Sequence, residues 1–159
     1  MRRDEGILAR TRIFFTSDVH GSERTFLKFV NAGRFYKADI IMLGGDITGK
    51  MIIPIVESAD GSYSAEFLGS DYDMRTTAEL EELEKSIRYN GYYPYRTNPI
   101  DKEELDRNPS KVDELFSRLM VEGVERWVRI AEERLNGTGI KCFILFLFWR
   151  HLFFFLIVL

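Results

Sequence analysis

Ile13-Phe14-Phe15-Thr16-Ser17-Asp18-Val19-His20-Gly21 and Ile40-Ile41-Met42-Leu43-Gly44-Gly45-Asp46-Ile47-Thr48-Gly49 decide how this chain is read. Each is a short run of branched and aromatic residues that stops at acidic, histidine or glycine residues. Such a run, bounded by turn formers, predicts a buried parallel strand, and open α/β sheets place their chemistry at the carboxyl ends of those strands. Asp18 and His20, two apart in a segment expected to be extended, point the same way and offer one cation an oxygen and a nitrogen. Asp46 arrives from the next strand with two carboxylate oxygens, enough to bridge ions ~3.5 to 4 Å apart. Gly44 and Gly45 remove the Cβ atoms that would keep the two backbones apart.

Between these runs the pattern is helical. Ser22, followed by Glu23 and Arg24, predicts a helix cap, and Phe26, Leu27, Phe29 and Val30 line one face, with Asn31-Ala32-Gly33 expected to end the helix. Strands over about 11–17 and 39–43 joined by this helix form a strand, helix, strand unit, which requires a parallel pair.

Beyond Gly49 the period changes to two. Residues 51–56 and 62–67 flank Ala59-Asp60-Gly61 and predict a hairpin, with Pro54 expected to place its strand at an edge. Thr76-Thr77-Ala78-Glu79 is a capping box that opens a helix carrying Leu80, Leu83 and Ile87, stopped by Asn90-Gly91. The Glu79 to Lys85 charge run reads as its solvated face. Residues 92–108, with Pro94 and Pro99, read as loop with at most a short helical turn near Glu103. Tyr92, Tyr93 and Tyr95 are expected to pack onto the sheet rather than wall a pocket, and Lys50 reads as a solvated lysine. Residues 110–136 form the strongest helix, with Val112, Leu115, Phe116, Leu119, Val124, Trp127, Val128, Ala131 and Leu135 in one stripe and Gly137 as terminator. Residues 140–144 are then the third strand of the parallel sheet.

The chain has 159 residues, room for one domain with a real core. Its net charge of −3 and pI near 5.5, with 22 scattered Lys and Arg, leave no dedicated nucleic-acid surface. A lone cysteine, Cys142, and no visible export signal fit a reducing, cytoplasmic setting. From Cys142 to Leu159 nearly every residue is apolar, interrupted by Arg150 and His151, and six of the thirteen Phe lie there. A spanning helix needs ~20 apolar residues, and a central Arg costs ~2.5 to 3.5 kcal/mol, so this tail is a poor membrane span. So many exposed Phe would promote self-association.

Asp-x-His-Gly after the first strand together with Gly-Gly-Asp after the second resembles the calcineurin-like metallophosphoesterases, over roughly residues 11–144. The Gly-Gly-Asp-Ile-Thr-Gly-Lys form is similar to a prokaryotic subgroup in which a hairpin and long helices separate the second and third motifs. The resemblance implies an α/β fold, the first half of a layered α/β/β/α sandwich, with residues 1–144 as a partial metallophosphoesterase domain and 145–159 as an apolar tail. It implies Asp18 and His20 as ligands of a first metal and Asp46 as the bridge to a second. The cofactors would be two divalent ions (Mn, Fe, Zn or Mg), and the substrate a small phosphomonoester or phosphodiester. It assigns no catalytic side chain beyond the ligands.

Where the family continues with Gly-Asn-His or Gly-Asn-Asp and ends in Gly-His-x-His, this chain runs Leu145-Phe146-Leu147-Phe148-Trp149-Arg150-His151. With two histidines in all, it carries three of the expected ligands and is expected to bind metal weakly and turn over little. The alternatives are a non-catalytic phosphate or single-cation binding module, and an apolar-tailed membrane-associated protein. The abrupt change in composition predicts a break of the reading frame near Ile144 or Leu145. Another frame of the encoding DNA just downstream should then yield a Gly-Asn motif followed by histidine motifs; its absence there would dismiss the idea.

Overall fold

β1 (Ile13–Ser17) lies parallel to β2 (Ile40–Gly44), Ile13 opposite Ile40 through Ser17 opposite Gly44. The connection is α1 (Glu23–Phe35), whose N-cap Ser22 accepts the Thr25 N–H. The computed structural model describes residues 10–147 and 154–158. Among them are four helices and two four-stranded sheets, a mixed α/β architecture.

The first sheet has the order β1-β2-β7-β8. β7 (Lys141–Leu147) is parallel to β2, and β8 (Phe154–Val158) returns antiparallel beside β7. Register puts Phe14, Ile41 and Cys142 in one row and Thr16, Leu43 and Ile144 in the next, all on one face. That face receives Phe26, Phe29 and Val30 of α1 and Trp127, Ala131 and Leu135 of α4 (Pro109–Leu135), forming one core. Phe26 and Trp127 stack at 4.4 Å between ring centroids, 8° from parallel. Glu23, at the start of α1, is buried and accepts the Arg126 guanidinium of α4 at 2.8 Å, so the same helix pair is joined by a long-range ion pair.

The second sheet has the order β5-β4-β3-β6. β3 (Ile52–Glu57) and β4 (Tyr63–Phe67) form the expected hairpin, with Gly61 at φ 82° and Asp60 accepting the Ser62 N–H in the turn. Ile53, Ile55, Phe67 and Met74 pack against Leu80, Leu83 and Ile87 of α2 (Thr77–Tyr89), a second core. α2 opens with the Thr76/Glu79 capping box read from the sequence.

Several expectations change. β1 is not buried on both sides: it is an edge strand, and Ile13 (56%) and Phe15 (62%) are exposed because α1 and α4 cover only the opposite face. α1 runs past Gly33 to Phe35; that glycine is a contact point, since a Cβ there would lie 3.1 Å from the Ile140 side chain. Pro54 sits on an inner strand. Tyr93 N–H donates to Met51 C=O, so β3 turns its odd residues toward β6 and Pro54 toward β4, whose ladder reaches only Val56 and Glu57. The missing N–H therefore costs no ladder bond. β6 (Tyr93–Thr97) and α3 (Pro99–Arg107) form where loop with a short helical turn was expected, and β5 (Ser70–Met74) adds an antiparallel strand beside β4. By the same alternation Pro94 faces the open edge of β6. Glu84, expected to be solvated, is half-buried between Arg96 (2.6 Å) and Arg88 (3.6 Å). Val112 lies outside the buried stripe of α4.

β7 passes without interruption through Leu145, and Leu145 lies opposite Leu156 of β8. His151 is outside the described residues. Among those described, no helix is long and apolar enough to cross a membrane.

Trp127→Ala should destabilise the fold by about 3–5 kcal/mol, the usual cost of emptying a buried aromatic position. Urea denaturation measures it, and an unchanged midpoint would show that the α1/α4 contact does not hold the first sheet.

Candidate metal centre

Both halves of the site leave the first sheet at its carboxyl edge, as β1 and β2 end side by side. The two loops stay hydrogen-bonded after the strands stop: Asp18 N–H donates to Gly44 C=O (3.2 Å), His20 N–H to Asp46 C=O (3.1 Å) and Gly21 N–H to Ile47 C=O (3.1 Å). Ser22 N–H returns to Val19 C=O (3.0 Å) and starts α1 directly behind the site.

The segment carrying Asp18 and His20 is not extended as expected. Asp18 has φ 56° and His20 φ 46°, both in the left-handed region, with buried Val19 between them. Two non-glycine residues in that region within three positions are costly, and the surrounding hydrogen bonds hold them there. Both side chains still reach Asp46. Asp18 Oδ1 accepts the Asp46 N–H at 3.1 Å, and His20 Nδ1 lies 3.3 Å from Asp46 Oδ2. Asp46 Oδ1 in turn accepts both the N–H (2.9 Å) and the hydroxyl (2.7 Å) of Thr48, so one carboxylate oxygen is fixed by its own loop.

Asp18 and His20 are therefore each brought to Asp46, and the side chains are open to water: 57% exposed for His20 and 51% for Asp46. The Ser17 hydroxyl, followed by the Asp46 N–H, holds the Asp18 carboxyl below its usual range, so Asp18 is anionic at neutral pH. With Nδ1 turned to the Asp46 carboxylate, Nε2 is the ring nitrogen left for a cation. Two carboxylates and an imidazole are a donor set that suits a divalent cation. They are tied to one another as described, and among the described residues no three His, Cys, Asp or Glu side chains are disposed around a common point.

Of the two glycines before Asp46, only Gly45 is required. It has φ 76°, and a Cβ there would stand 2.7 Å from Asp18 Oδ1, whereas one on Gly44 would meet the Phe15 ring at an ordinary 3.5 Å.

The second sheet supplies a part of the site that the sequence did not announce. The corner between α2 and β6 touches both loops. Gly91 C=O accepts the Lys50 N–H (2.8 Å), Ser22 Oγ donates to Tyr89 C=O (2.7 Å), and Tyr93 Oη accepts the Gly49 N–H (2.8 Å). Gly21, Gly49 and Gly91 meet here so closely that a Cβ on Gly91 would stand 2.2 Å from the His20 carbonyl oxygen, and one on Gly21 would stand 2.4 Å from Gly49 Cα. Burial raises the Tyr93 phenol above its ordinary pKa, so it is a neutral O–H. Thr48 was legible as the partner in an Asp-x-Thr turn; Tyr93 carries no such signal. Lys50 Nζ lies 5.1 Å from the centre of the Tyr92 ring.

A wide depression of about 800 Å³ lies elsewhere, between Pro54, Val56, Tyr72 and Lys102 of the second sheet and α3, and contains none of the three ligands. Cys142 of β7 is fully buried, and burial pushes its thiol up to about 12, which removes it as a nucleophile or ligand. Compared with protein-family models, curated proteins and solved structures, the chain matches none.

Gly45→Ala should cost about 1–2 kcal/mol through its left-handed backbone, besides displacing the Asp18 carboxylate. Gly44→Ala should be close to neutral. Thermal melts of the two variants check the contrast, and equal effects would contradict this account of the loop.

Proposed function

We propose that Asp18, His20 and Asp46 form a divalent-cation site serving the hydrolysis of a phosphoester, as in the metallophosphoesterases the sequence resembles. One observation carries the reading: the Asp18 carboxylate accepts the backbone N–H of Asp46, 28 positions along the chain, at 3.1 Å, and the His20 imidazole lies 3.3 Å from the Asp46 carboxylate, all at the ends of adjacent parallel strands. That is where open α/β sheets concentrate their chemistry.

Asp18, His20 and Asp46 would hold the cation, which when bound supplies Lewis-acid polarisation of a phosphoryl oxygen and a more acidic water. The chain's own groups have separate tasks. The carboxylates of Asp18 and Asp46 at the sheet edge attract a cation. Thr48 holds one oxygen of Asp46 still and leaves the other to His20 and to the cation. His20 orients its ring by facing Nδ1 to that carboxylate, which presents Nε2 as a donor. The exposure of the site suits a small phosphoester approaching from solvent.

The reading as a cation-binding module without turnover has its own support: among the described residues no three His, Cys, Asp or Glu side chains are disposed around a common point, so nothing there encloses two ions. The proposal therefore expects weak binding and slow hydrolysis.

Calorimetric titration with Mn²⁺ should show weak binding to the intact chain, and Asp18→Asn and Asp46→Asn should each abolish it. Hydrolysis of an aryl phosphate in Mn²⁺, lost in Asp46→Asn, would assign the phosphoesterase activity; binding without hydrolysis would assign the module. A chain that binds no Mn²⁺ would sink both.

A further inference from the structure

We propose that Tyr93 is a positioning residue for this site: its phenol, carried in from the second sheet, fixes the backbone of the loop on which Asp46 stands. The inference rests on the cation-site reading and adds a residue to it.

Tyr93 is the first residue of β6 and is only 8% exposed. Its own N–H is committed to Met51 C=O at 3.0 Å, so its backbone belongs to the second sheet. Its ring extends toward the first sheet and fills the place where Gly49 lacks a side chain: a Cβ on Gly49 would lie 2.6 and 2.7 Å from two ring carbons. Phe116 of α4 stands edge-on to the ring at 5.3 Å, and Gly123 of the same helix lies beside it. Packing thus locks the ring, and the hydroxyl is spent on the Gly49 N–H at 2.8 Å.

That bond acts three residues from Asp46. Thr48, which fixes the Asp46 carboxylate, is the immediate neighbour of Gly49. Without the phenol oxygen the Gly49 N–H is buried beside an aromatic ring with no acceptor, and the loop gains by turning it elsewhere. Packing needs only the ring; the hydroxyl serves the loop. The Gly91 carbonyl on the Lys50 N–H is a second hold from the same corner, one residue further on.

Tyr93→Phe separates the two roles because it keeps the ring. In the full-length chain, amide hydrogen exchange should become about tenfold faster at Thr48 and Gly49 and stay unchanged at Ile55 and Phe67 of the second sheet. Affinity for Mn²⁺, measured on folded protein, should fall by about tenfold, the usual effect of loosening a ligand's support. Unchanged exchange at Gly49, unchanged Mn²⁺ affinity, or a uniform acceleration across both sheets would overturn the assignment. If the wild-type chain binds no Mn²⁺, the cation reading falls, and exchange at Gly49 alone decides whether Tyr93 holds the loop.

Discussion

The site depends on a close approach of three backbones. Gly21, Gly49 and Gly91 come from three different loops, and the space a side chain would need at each is taken by main-chain atoms or by the Tyr93 ring. This contact joins the two sheets at the point where the site residues stand. Backbone amides are satisfied where these loops meet: Gly21 by Ile47, Lys50 by Gly91, and the buried Gly49 by the Tyr93 phenol. Buried amides must find partners, so the three loops have little freedom to move independently.

Each sheet has its own core, and each core is one-sided. α1 and α4 cover one face of the first sheet, and α2 one face of the second. The Glu23–Arg126 pair and the Phe26–Trp127 stack hold α4 to α1 immediately behind the site. Pairing and hydrogen bonding of this buried carboxylate offset its desolvation, which an isolated charge there could not. α4 also backs the Tyr93 ring, so the helix that completes the first core supports the residue reaching over from the second sheet.

Much of this was legible in the residues. The parallel β1/β2 pair, its crossover helix, the β3/β4 hairpin, the capping box of α2 and the long α4 all follow from local rules: apolar period, cap residues and turn formers. Asp18, His20 and Asp46 were legible as a group because each follows an apolar run that stops at acidic, histidine or glycine residues. What failed was also physical. β6 carries Pro94 and follows a glycine, so propensity argues against a strand, yet its pairing with β3 places the proline where no amide is needed. β5 reads Ser-Asp-Tyr-Asp-Met and has no apolar face to reveal it; only Met74 is buried.

By itself, the sequence determined the strand, helix, strand order and the chemistry of the three side chains at the sheet edge, because both depend on residue type and short-range spacing. Only the tertiary structure decided that Asp18 and His20 adopt left-handed backbone and that Asp18 reaches the Asp46 amide. It also decided that a tyrosine from the second sheet closes the Asp46 loop. Those features arise from hydrogen bonds and packing between segments 28 to 44 positions apart, and no local pattern records which distant group will fill the space a glycine leaves open.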